Sequence, residues 1–97
     1  MEKITISGKE YEMRDVSILG VKMRGMKYIT GCNLDKMPEW IGDEAKEKEA
    51  CIAFEKFLSS IFTERYTGLP LLELHESEVM AVTSLFFRLA VVPVIPN

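Results

Sequence analysis

One histidine, His75, two cysteines, Cys32 and Cys51, and a group of acids, Glu73, Glu76 and Glu78, are the residues best suited by type to catalysis or metal binding. Their spacing gives each little to work with. A single imidazole has no second one with which to chelate a metal or share a proton. Cys32 has no base beside it in sequence to make a thiolate, and the two cysteines lack CxxC spacing and histidine neighbours. The three glutamates fall around the expected start of a helix, where the helix dipole already favours negative charge. Ser7-Gly8-Lys9 lacks the flanking glycines of a phosphate loop and belongs to a turn. No glycine-rich nucleotide fingerprint is present. The expectation is a non-enzyme with no catalytic residue, no cofactor and no metal.

The elements that carry these residues begin with an alternation over 3–14. Ile4, Ile6, Tyr11 and Met13 fall on one face if Gly8-Lys9 makes a two-residue type II′ turn, with Ile6 opposite Tyr11 and Ile4 opposite Met13. A two-stranded hairpin is marginal alone, so that face must pack on something. Asp15 is placed to cap a following helix whose stripe is Val16, Leu19, Met23 and Met26. Gly20 and Gly25 count against this helix, and 21–28 also carries strand character. Residues 31–42 read as a connection, with Trp40 and Ile41 tucked onto the core. The strongest helix spans 43–67, capped by Asp43 and stopped by Gly68, with Ala50, Cys51, Phe54, Phe57, Leu58, Ile61 and Phe62 on its apolar face. A last helix spans 76–90, with Val79, Val82, Phe86 and Leu89 as its stripe. Pro93 and Pro96 stop it, so 91–97 reads as an extended apolar arm. The predicted fold is α+β, one domain over 1–97, with an N-terminal two-stranded β-hairpin packed on about three α-helices.

Composition narrows the function class. Hydrophobic residues make up 47% and charged residues 28% of the 97, enough apolar material for a single packed core. A net charge of -3 argues against nucleic acid and against an anionic membrane face, both of which need a positive surface. Lys22, Arg24 and Lys27 are the one local basic group, expected on a solvated face. The apolar run 79–95 is too short and too interrupted to span a bilayer, and Met1-Glu2-Lys3 leads into the hairpin without the apolar region of a signal peptide. Reduced thiols in a cytoplasmic protein are the expectation for both cysteines.

What remains unassigned is apolar surface. The chain has six methionines, residues that adaptable binding surfaces overuse. Leu85, Phe86 and Phe87 are consecutive, so one helix face cannot bury all three. The candidate protein-binding surface is Met23, Met26, Leu85, Phe86, Phe87, Val91, Val92, Val94 and Ile95, with self-association expected through it.

The sequence "ITISGKEYEMRDVS", followed by a second element, a charged amphipathic helix and a final helix opened by "LPLLELHESEV", resembles the tail assembly chaperones of long-tailed phages. Gly8-Lys9-Glu10-Tyr11 carries the most literal part of the resemblance. It implies a non-catalytic helper in the bacterial host cytoplasm, with the tape-measure and tail-tube proteins as partners, that covers apolar helices of the tape-measure protein. Two other readings of the same surface are a ring-forming head-tail or tail-end component and a small inhibitory protein of a mobile element.

Overall fold

The computed structural model describes residues 1–91; of the expected apolar arm, only Val91 lies within them. The opening alternation folds into strands β1 (Lys3–Ile6) and β2 (Lys9–Glu12), paired antiparallel. Three long helices follow, α1 (Leu19–Cys32), α3 (Glu44–Ile61) and α4 (Glu76–Val91), with a single helical turn, α2 (Met37–Trp40), between α1 and α3. The architecture is α+β, a hairpin followed by helices, as the residue pattern indicated.

The hairpin turn differs from expectation by one residue. Ser7 and Gly8 occupy it, both left-handed at φ 54° and 75°, which is a type I′ arrangement. Ile4 therefore lies opposite Tyr11, and Ile6 opposite Lys9. The pairing moves by two residues rather than one, so Ile6, Tyr11 and Met13 still share a face and are buried. A serine rarely adopts positive φ. Here tertiary hydrogen bonds hold it: its N–H donates to Glu78 Oε2 at 2.9 Å, and Leu69 N–H donates to its Oγ at 2.9 Å. The hydroxyl is also 2.8 Å from the Tyr66 hydroxyl, which in turn donates to Leu69 O at 2.5 Å. Because the single Tyr66 proton goes to Leu69, Ser7 must be the donor between the two hydroxyls. The turn, the 66–69 loop and the start of α4 are thus tied by one closed ring of hydrogen bonds and one carboxylate.

Helix α3 ends at Ile61, short of the expected stop at Gly68, because the chain beyond β2 captures its last carbonyls. Arg14 N–H donates to Ile61 O at 2.7 Å, and the Arg14 side chain donates from Nε to Phe62 O at 2.7 Å. Thr63 N–H then donates to Glu12 O at 2.9 Å, and Met13 bridges Phe62. Groups that a helix end leaves unpaired are satisfied by an arginine and an adjoining extended segment. The Phe62 ring stacks on Tyr11 with centroids 4.7 Å apart. At its other end α3 starts as the sequence indicated: the Asp43 side chain accepts from Lys46 N–H at 3.3 Å, and Glu47 takes Gly42 N–H at 2.7 Å.

Asp15 caps no helix. Its carboxylate accepts from Ser17 N–H and Oγ–H, in a turn that delivers the chain to α1 three residues later than expected. Those bonds, the hydroxyl first, lower the pKa of the exposed Asp15 carboxyl. Asn33, left-handed at φ 50°, terminates α1, and its carbonyl accepts the indole N–H of buried Trp40 at 3.2 Å. Ile41, expected on the core, is exposed.

One core joins the hairpin to the helices. It takes Val21, Gly25, Ile29 and Cys32 from α1, Ala50, Phe54, Phe57, Leu58 and Ile61 from α3, and Val82, Phe86 and Ala90 from α4. The Phe57 and Phe86 rings meet edge to face at 5.2 Å. Gly25 sits beneath Phe86, and a Cβ there would stand 2.5 Å from the ring. The glycine counted against α1 is what lets α1 and α4 close on each other.

Candidate protein-binding surface

Helix geometry decides which α1 residues reach solvent. Successive residues turn by about 100°, so placing Val21, Gly25 and Ile29 inward sends Leu19, Met23 and Met26 outward as one strip. They are 68%, 60% and 37% exposed, respectively. Leu19, Met23 and Met26 therefore do not form the core stripe expected of them, while Val16, ahead of the helix, is buried. The inversion follows from Gly25. A helix approaches a neighbour most closely where it lacks a side chain, and the phenylalanine of α4 takes that place.

The same rotation divides α4. Val82, Phe86 and Ala90 face the core, and Leu85 and Leu89 are half-buried at its margin. Phe86 was expected on the binding surface and is instead fully buried, because only one of the consecutive phenylalanines can point inward and Gly25 receives this one. Phe87, one position round, is 37% exposed, its ring edge to face on Phe86 at 5.5 Å. Seven residues before it and four after it, on the same face, lie Met80 at 57% and Val91 at 65% exposed. Val91 belongs to the helix rather than to an arm. Sequence reasoning passed over Met80 and Leu19 as binding residues. The spacing of Met80, Phe87 and Val91 would have found the first, but nothing local gives the rotation of α1. Val92, Val94 and Ile95 lie outside the described residues.

Leu89 also lines an apolar recess of about 410 Å³ with Met1, Met13 and Val16, where the end of α4 meets the segment after β2.

The groups with chemical potential are dispersed. His75 is exposed, and its carbonyl accepts from the Glu78 and Val79 N–H groups in the first turn of α4. Glu78 is engaged with the Ser7 amide. Cys32 is buried, donating to Tyr28 O at 3.4 Å, and burial pushes its thiol up to about 12. A thiol in that state is a poor nucleophile near neutral pH. Among the described residues no three of His, Cys, Asp or Glu come together in a way that could hold a metal ion, and no helix is long and apolar enough to cross a membrane.

Comparison with protein-family models, with curated proteins and with solved structures finds no match to this chain.

Proposed function

We propose that the protein is a non-catalytic, protein-binding assembly factor, and that it acts as a tail assembly chaperone covering apolar helices of a tape-measure protein. The observation that carries this reading is the pair of apolar strips on the outer faces of α1 and α4. Each spans two to three helical turns, Leu19, Met23 and Met26 on one helix and Met80, Phe87 and Val91 on the other. Scattered exposed hydrophobics need no explanation, but rows at helical spacing do. Methionine, with an unbranched and polarisable side chain, suits contacts that must adapt to varied helices and later be released. A surface of this kind favours many moderate contacts, and self-association along a long client would add avidity. The hairpin opening resembles that of the chaperone family in its Gly8-Lys9-Glu10-Tyr11 sequence.

Co-expression tests the reading. The tape-measure protein of the same genome should move from the insoluble to the soluble fraction when this chain is produced with it, and should co-purify in a complex that tail-tube subunits dissolve. A tape-measure protein equally insoluble with and without the chain, or a source genome with no such protein, contradicts the proposal.

A further inference from the structure

We infer that the outward strip of α1 selects amphipathic partner helices whose own apolar stripe is bordered by acidic residues. The inference rests on the protein-binding reading above and adds to it a charge rule. At about 100° per residue, Lys22 falls on one border of the Leu19–Met23–Met26 strip and Lys27 on the other. Lys22 is half-buried beside the strip, while Lys27 is exposed. Arg24 adds a third cation further round, and α1 contains no acidic residue at all, in a chain of net charge -3. None of the ion pairs among the described residues involves these three; the pairs are Lys3–Glu10, Lys9–Glu64 and Arg65–Glu55. Lys27 Nζ rests 5.8 Å from the centroid of the Tyr28 ring, a weak attraction at an exposed site that a carboxylate would readily replace.

The arrangement discriminates between partners. An acidic border on the incoming helix would meet the lysines while its leucines or methionines met the strip, whereas a basic border would set like charges against each other. Lysines that bend over apolar neighbours keep their stems in contact and their ammonium groups wet, so both parts contribute. Nucleic acid would need a continuous positive groove and would leave three apolar side chains against water or phosphate. An anionic bilayer would take the strip and its lysines but would be repelled by the acidic remainder of the chain.

The test uses two labelled peptides of about 18 residues, some five helical turns. They share a leucine stripe, bordered by glutamate in one and by lysine in the other. Fluorescence anisotropy with the full chain at low salt should show the glutamate peptide binding at least about tenfold tighter, with the margin shrinking as salt screens the charges. Lys22→Glu with Lys27→Glu should invert the preference, while Arg65→Glu, on a different element, should leave it unchanged. Equal affinity for the two peptides, binding to neither, or an unaltered preference in the double variant overturns the inference. So does tighter binding to duplex DNA or to phosphatidylserine vesicles than to the glutamate peptide. Because the probes are synthetic, these outcomes are separate from whether a tape-measure protein is kept soluble.

Discussion

A Cβ placed on Gly25 would lie 2.5 Å from both Cε1 and Cζ of Phe86 and 3.1 Å from the Ile61 side chain, so the absence of a side chain at one position sets the distance between α1 and α4. Gly25→Ala should therefore destabilise the fold by about 1–3 kcal/mol through overpacking, despite the better helix propensity of alanine. Gly31, in the same helix, has only Ala53 Cβ near its vacant position, at 4.0 Å. Gly31→Ala should stabilise by about 0.5–1 kcal/mol. Urea unfolding of the two variants checks the pair: opposite signs are expected, and equal effects would mean that propensity rather than packing governs α1.

Ser7 offers a second contrast. Ser7→Ala keeps a β-carbon at positive φ and strips the hydroxyl from a ring that includes Leu69 N–H and Tyr66 Oη, so it should cost about 1–3 kcal/mol. Ser7→Gly loses the same hydroxyl but relieves the backbone, so it should cost less than alanine does. Thermal unfolding ranks them. Alanine tolerated better than glycine would show that the left-handed turn carries no strain.

Alkaline pH should weaken the fold partly through Cys32. Its thiol pKa is raised from the ordinary value of 9.0 to about 12, by burial first and by Cys51 second. A group whose folded pKa is raised contributes stability in full below its unfolded pKa and loses it as pH climbs towards the folded one. The loss attributable to Cys32 thus falls between about pH 9 and 12. Tyr66, also raised, chiefly by burial, adds a loss of the same sign above its ordinary value of 10.0. Cys32→Ala should flatten the decline of unfolding free energy with pH above 9 relative to the parent chain. Parallel slopes would mean that the thiol is not held protonated by the fold.

Self-association can be separated from folding by cutting the chain after Val91. That cut keeps Leu89 and Ala90, which pack at or in the core, and removes Val92, Val94 and Ile95. Light scattering across a concentration series should show weak exchange between monomer and small oligomers for the full chain and less of it for the shortened one. One ring-sized species at every concentration would favour the structural-component reading, and a strict monomer in both would remove self-association from the account.

Local pattern carried the element types, and tertiary contact decided their ends and rotations. The alternation over 3–14 and the apolar face from Ala50 to Phe62 are visible because periodicity is local. The turn shifted from Gly8-Lys9 to Ser7-Gly8 because bonds to Glu78, Tyr66 and Leu69, remote in sequence, support a serine at positive φ. Helix α3 stops at Ile61 because Arg14 waits for its carbonyls, a partner that no window around Gly68 contains. Of the expected surface, Met23, Met26, Phe87 and Val91 stand in solvent, although the first two were also expected in the core stripe of α1, while Leu85 is half-buried and Phe86 is buried. The difference between Phe86 and Phe87 is fixed by a glycine on another helix, and that pairing leaves no trace in either segment alone.

The most direct measurement for the proposed function compares how much tape-measure protein is kept soluble by the parent chain and by the triple variant Met23→Ser, Met80→Ser and Phe87→Ser. These side chains are exposed, so the variant should remain folded by circular dichroism with a modest loss of thermal stability, mainly from the Phe87 contact with Phe86. The folded variant should lose most of the solubilising effect. Full retention of that effect by a folded variant would contradict the claim that the outer faces of α1 and α4 are the binding surface.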